Sequence, residues 1–160
     1  MRKFEKISYE QFKKELGDNK KLYDSIMLPK RSTKNSAGYD VRSIEEGIIK
    51  PGASMVFKTG LKVAMNSDEV VYIYSRSSFA YKYDVCLANS VGVIDSDYYN
   101  NPDNEGHFQI KLINHGSKEL EIKIGDRIGQ CVFMKYLTVD DEGEIKTERK
   151  GGLGSTGKKD

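Results

Sequence analysis

From Pro29 onward the chain sustains no helical period. Apolar residues come in short runs cut by Gly, Pro, Asn and Ser: Ile48-Ile49, Met55-Val56-Phe57, Leu61 to Ala64 and Val70 to Tyr74. His107 to Ile113 and Leu120 to Ile124 alternate, and Ile128 to Leu137 reads as another buried strand. β-branched and aromatic residues at a period of two fit a pleated, half-buried surface, and breaks this frequent keep each strand short. Many short strands imply an all-β sandwich or barrel. The 160 residues suggest one domain. A chain of that length buries roughly 70% of its unfolded surface and needs no covalent staple.

The start is different. Ser8-Tyr9-Glu10-Gln11 has the form of a capping box, with Ser8 as N-cap and Gln11 reaching back to it. Phe12 and Leu16 then share one helical face, and Gly17 is placed to end the helix. So short a helix is marginal alone and should dock on something. Residues 1–22 are therefore expected as an N-terminal helical extension, 23–147 as the β domain, and 148–160 as a separate arm. The arm holds Gly151, Gly152, Gly154 and Gly157 and ends in Lys158-Lys159-Asp160. Two readings fit it: a disordered tail, or a flexible arm whose backbone N–H groups, with Ser155 and Thr156, close on a phosphate. It is not a P-loop, because no Gly-Lys-Ser/Thr element opens a helix.

Composition removes other classes. A net charge of +2 with 31% charged residues is no electrostatic footprint for duplex DNA. No run of 18 apolar residues exists, and Met1 to Lys6 lacks the apolar core of a signal peptide, so a cytoplasmic protein is expected. Cys86 and Cys131 sit in apolar runs and read as reduced, buried thiols; with two histidines at these spacings they make no zinc site.

Five short polar blocks punctuate the β pattern: Ala37-Gly38-Tyr39-Asp40, Ser75 to Ala80, Gly92-Val93-Ile94-Asp95-Ser96-Asp97-Tyr98, Gly125 to Gln130, and Arg149 to Gly157. One would be weak evidence. Five in this order resemble the signature motifs of the trimeric dUTPases, from about Pro29 to Lys159. The resemblance implies a jelly-roll-like β-sandwich or barrel, a homotrimer with composite active sites, and hydrolysis of dUTP to dUMP and pyrophosphate. That reaction keeps uracil out of DNA and supplies dUMP for thymidylate synthesis.

It also implies roles. Asp95 would orient and activate the attacking water and contact the sugar 3′-hydroxyl; its own block alone favours a hairpin-tip aspartate, and the resemblance reverses that. Tyr98 would press on the deoxyribose and leave no room for a 2′-hydroxyl. The hairpin from Asn89 through Gly92, Val93 and Ile94 would read uracil through backbone groups, with Gln109 a further contact. A site built on fixed hydrogen bonds rejects a mismatched base because buried polar groups are left unpaired. Arg76, Ser77, Ser78 and Gln130 would bind phosphates, as would Arg149 or Lys150 beside it, and Gly154, Ser155 and Thr156. Asp40 would support the water and metal network from behind; Asp126 has either a supporting or a turn role. Mg²⁺ is the expected cofactor, held by phosphates and waters with no direct protein ligand.

The chain also departs from the motifs. Ser78 replaces a glycine, and Leu153 stands where an aromatic ring would stack on uracil. The spacing from the arginine to the Gly151-Gly152 pair is one residue shorter than usual. The glycine expected two residues after Tyr98 has slid to Gly106, behind an insertion at 99–105. Two rival classes stand beside this reading. A dCTP deaminase needs a Glu that Phe108 to Leu112 lacks. An interaction module could use the N-terminal helix and the insertion to meet a regulatory protein partner.

Overall fold

The computed structural model describes residues 1–145 together with 147, 149, 151 and 152. Its strands are β1 (Lys3–Lys6), β2 (Lys30–Arg31), β3 (Tyr39–Arg42), β4 (Gly47–Ile49), β5 (Ser54–Lys58), β6 (Leu61–Ala64), β7 (Glu69–Tyr74), β8 (Val85–Leu87), β9 (Gly92–Asp95), β10 (Gln109–Asn114), β11 (Leu120–Ile122) and β12 (Arg127–Lys135). Helices α1 (Tyr9–Leu16) and α2 (Lys20–Ser25) follow β1, and α3 (Ser77–Tyr83) follows β7. The largest sheet runs β2-β3-β12-β7-β9; a second runs β5-β10-β8, and β4-β11 and β1-β6 are pairs. All these pairings are antiparallel. The fold is all-β and of the jelly-roll type, with short helices at its edge.

One core joins the layers. Val41, Val71, Ile73, Ile94 and Ile128 of the large sheet meet Phe57, Ile110, Leu112, Val85 and Leu87 of the second. The approach is closest at Gly129, where an added Cβ would stand 2.9 Å from Ile110 Cδ1. Glycine there lets the two sheets close.

The helix expected after Ser8 forms. Ser8 Oγ accepts from Gln11 N–H at 3.1 Å. Gly17 stops the helix at φ 84° with its N–H on Lys13 O. The reciprocal half of the capping box is a correction. Gln11 Nε2 donates to Glu15 Oε1 instead. The Ser8 N–H goes to Glu105 Oε2 at 2.9 Å, and Ser8 Oγ donates to Glu105 Oε1 at 2.5 Å. A carboxylate 97 residues away does the job assigned to the neighbour, and does it with charge.

The first residues hold more than a helix. β1 lies on β6 with Phe4 opposite Val63, and Phe4 packs its ring 5.4 Å from Tyr39 and 5.5 Å from Phe133. Ile7 and Phe12 are fully buried in the common core. The segment thus docks on the β layers. Arg76 to Ser78 also differs from a plain strand end. Arg76 takes the N-cap position of α3, Ser77 and Ser78 open it, and Asp84 ends it in the left-handed region at φ 52°.

Candidate functional site

Strand β9 alternates. Gly92 and Ile94 turn inward, Val93 and Asp95 outward. Gly92 faces Ile73 of β7, whose Cβ would lie 3.0 Å from an added side chain. The glycine makes room for Ile73, and beside it lies a pocket of about 160 Å³, lined by Asn89, Gly92, Val93, Ile94, Asp95, Tyr98 and Gln109. These are the residues expected to read base and sugar, and one protomer brings them together. Ile73, Phe108, Arg149 and Gly152 complete the wall.

After Asp95 the backbone tightens into a 3₁₀ turn, Ser96–Tyr98, which turns the Tyr98 ring into the protein. The ring is buried, and its hydroxyl donates to His107 O at 3.1 Å. Burial raises the Tyr98 phenol above its ordinary pKa, against a hydrogen bond from Asn104 and the charge of Arg149. Asp95 stays half exposed at the mouth. Its Oδ2 meets Arg149 Nη2 at 2.6 Å, and Arg149 Nε meets Asp97 Oδ1 at 2.8 Å. The same guanidinium lies 5.7 Å over the Tyr98 ring.

Gly106, expected as the displaced glycine, sits against the Tyr98 backbone. Gly106 has φ 83°, and a Cβ there would sit 2.5 Å from Tyr98 O. The intervening residues form a closed loop: Asn100 N–H bonds Glu105 O, Glu105 N–H bonds Asn101 O, and Asn101 Nδ2 bonds Tyr98 O.

A second group forms where β3, β12 and β7 run together. The register sets Gln130 between Asp40 and Tyr74. Gln130 Nε2 donates to Ser75 O at 3.2 Å, and Gly38 makes room for the side chain, since a Cβ there would be 2.3 Å from Gln130 Oε1. Asp40 Oδ2 accepts from Arg127 at 3.1 Å and from Ser32 Oγ at 2.6 Å; its Oδ1 lies 3.6 Å from Arg76 Nε. Burial alone would raise the Asp40 pKa, but the bonds from Ser32 and Arg127 and the charges of Arg127 and Arg76 outweigh it and hold it below the ordinary value. Asp126 does not join this group. Its carboxylate accepts Lys123 N–H at 2.8 Å and its carbonyl accepts Ser43 N–H at 2.8 Å, so it serves its own turn.

The two groups are apart. Asp95 pairs with Val70 near the start of β7, whereas Arg76 follows the end of that strand. Six residues of extended chain span ~20 Å. Gly154, Ser155 and Thr156, with Lys150 and Leu153, lie outside the described residues. Sequence reading missed Asn104 and Asp103 of the 99–105 loop, which touch Tyr98 and Gly152. The Asn-rich run was the available signal, but nothing local says which way such side chains point.

A family model described as dUTPase matches residues 24–157. A deoxyuridine 5′-triphosphate nucleotidohydrolase of Lactococcus lactis is 51% identical over 133 residues, 82% of this chain and 89% of that protein. The chain belongs to the dUTPase family. A second such enzyme, from Nautilia profundicola, is 39% identical across 87% of the chain and 96% of its own length. The crystal structure of a dUTPase from Streptococcus mutans superposes with a TM-score of 0.70 at 39% identity, over 86% of this chain and 98% of that one. A mutant dUTPase from phage phi11 of S. aureus, described with a structural Mg(II) ion, shares the fold at a TM-score of 0.67 and 20% identity, over 92% of this chain and 97% of that one.

Proposed function

We propose that this dUTPase-family chain hydrolyses dUTP to dUMP and pyrophosphate, with Asp95 positioning and activating the attacking water. The observation that carries the reading is Asp95 itself. It is a solvent-reaching carboxylate at the mouth of a pocket lined by Gly92 and Tyr98. A carboxylate so placed can hold water and take its proton at neutral pH. Tyr98 walls the sugar, Asn89 to Ile94 with Gln109 read the base, and Arg149 leaves Asp95 and Asp97 for the triphosphate.

The working enzyme is a homotrimer. Arg76, Ser77, Ser78 and Gln130 serve as phosphate donors, yet Arg76, just past the end of β7, stands ~20 Å along that strand from the Asp95 of its own chain. A neighbouring subunit that presents this group to Asp95 resolves the separation. The arm, residues 148–160, adds Gly154, Ser155 and Thr156 over the phosphates and excludes water.

The donor set fits a Mg²⁺ that arrives with the nucleotide. Among the described residues no three His, Cys, Asp or Glu side chains converge, and Mg²⁺ commonly rests on phosphates and keeps its waters. When bound it would neutralise charge on the triphosphate. Two free thiols, Cys86 and Cys131, accord with a reducing cytoplasm.

The test is pyrophosphate release with Mg²⁺ from dUTP, beside UTP, dTTP and dCTP. Release from dUTP alone is expected. Ammonia from dCTP, or tight dUTP binding without turnover, would overturn the assignment.

A further inference from the structure

The hydroxyl of Tyr98 is held from two sides. It donates to His107 O at 3.1 Å and accepts from Asn104 Nδ2 at 2.9 Å. Asn104 lies outside the five motifs, in the insertion. Its amide is itself fixed: Oδ1 accepts Asn101 Nδ2 at 2.8 Å and Gly106 N–H at 3.0 Å. Asn101 is almost fully buried, and its Oδ1 accepts the N–H groups of Asp103 and Asn104. This leaves Nδ2 of Asn104 one orientation, toward the phenol and the His107 carbonyl. A satisfied polar network of this kind is rigid, since each bond broken inside leaves a costly unpaired group.

His107 is anchored too. It is fully buried, its Nε2 accepts Gly60 N–H at 2.9 Å, and its Nδ1 therefore carries the proton and donates to Glu15 Oε2 at 2.8 Å. Both partners of the Tyr98 hydroxyl are thus immobile.

A ring pinned at its hydroxyl cannot tilt away from a sugar that presses on it. We propose that Asn104 is a specificity-determining positioning residue: it holds the Tyr98 ring against the sugar and thereby sets the discrimination of dUTP from UTP. This rests on the reading of Tyr98 as the sugar wall. Without the Asn104 donor the ring keeps its packing but yields to a 2′-hydroxyl.

The experiment measures kcat and KM for dUTP and UTP in the full chain and in Asn104→Ala, Tyr98→Phe, the double variant and Tyr98→Ala, with thermal unfolding alongside. The decisive comparison is Asn104→Ala in the two backgrounds. Loss of the Oδ1 bonds that fold the loop is common to both, whereas the Nδ2 bond to the phenol is lost only where the hydroxyl is present. In the chain with Tyr98 the ratio of kcat/KM for UTP to that for dUTP should rise about tenfold, the scale of one buried hydrogen bond. The change should lie in the KM of UTP, with the dUTP kcat little altered. Tyr98→Phe should give a similar rise, and Asn104→Ala should add nothing further in that background, because the two act through one bond. An unchanged ratio in Asn104→Ala overturns the proposal, as does an equal rise in both backgrounds. The two readings separate on Tyr98→Ala: a relaxed ratio there with none in Asn104→Ala sinks only the role of Asn104, whereas an unchanged ratio in Tyr98→Ala sinks both.

Discussion

Gly106 is the position where geometry makes the most specific demand on residue type. Its φ of 83° would strain any residue with a side chain, and Gly52 at φ 75° shares that strain. They differ in what a Cβ would meet: nothing within 4 Å at Gly52, but Tyr98 O at 2.5 Å and Tyr99 Cα at 3.0 Å at Gly106. Both obstacles are backbone and cannot rotate aside. Gly52→Ala therefore pays only the left-handed conformation, about 1 kcal/mol. Gly106→Ala pays that and an overpacking cost of about 1–3 kcal/mol more. For a domain of this size each kcal/mol lowers the melting midpoint by about 2–4 °C. The expected losses are about 3 °C for Gly52→Ala and about 5–15 °C for Gly106→Ala. Melts followed by circular dichroism at one fixed protomer concentration would read both, because assembly ties the midpoint to concentration. Since the displaced atoms belong to Tyr98 and Tyr99, Gly106→Ala should also weaken discrimination against UTP. Equal melting losses in the two variants would refute the close approach at Gly106.

Asp95→Asn should keep dUTP binding, seen by calorimetry, while turnover falls by about 10²–10⁴. Glu105→Ala removes both bonds to Ser8 and the contact with Lys62 at 3.1 Å. Loss of the cap should cost about 1–2 kcal/mol, visible as faster hydrogen exchange across Tyr9 to Leu16. Asp40 binds its proton more weakly when folded than when unfolded, so the unfolded chain takes up protons first as the medium is acidified. Its stabilisation is complete above the ordinary carboxylate pKa of about 3.9 and drains as pH falls toward the folded value. Asp40→Asn should accordingly melt lower at neutral pH and lose less on acidification; a parallel pH profile in the two proteins would contradict the assignment.

Strands β4 to β7 and β10 to β12 were legible because each is short, alternates or is largely apolar, and is bounded by breakers. β5, β6, β7 and β10 fall within a residue or two of the runs that announced them. Helix α3 was not. Only Phe79 of its residues is buried, so no apolar stripe exists, and its stop is Asp84 at φ 52° where a glycine would have marked the end. β1 hid for a related reason: what holds it is a ring cluster with Tyr39 and Phe133, contacts no local pattern encodes. At the site, Asn89, Gly92 to Asp95, Tyr98 and Gln109 were readable as a motif with its strand. The partner of Ser8 was not, because Glu105 lies 97 residues away.

That distance joins two features that looked separate in the sequence. The N-terminal segment precedes the residues that the family model matches, and it and the 99–105 loop lean on each other. Glu105 caps α1 through Ser8, Tyr99 hydroxyl bonds Glu5 of β1, and Lys62 of β6 reaches Asn100 and Glu105. Glu15 of α1 then holds His107, whose carbonyl receives the Tyr98 hydroxyl. A loop with two left-handed non-glycine residues, Asn100 at φ 57° and Glu105 at φ 59°, stores conformational strain and persists only when its surroundings over-determine it. The N-terminal strand and helix provide part of that constraint. The loop meets Tyr98 through Asn104 and Gly152 through its N–H on Asp103 Oδ2, 3.3 Å away. Residues 1–16 therefore bear on the pocket beside Gly92 and Tyr98 without lining it, through the loop they brace.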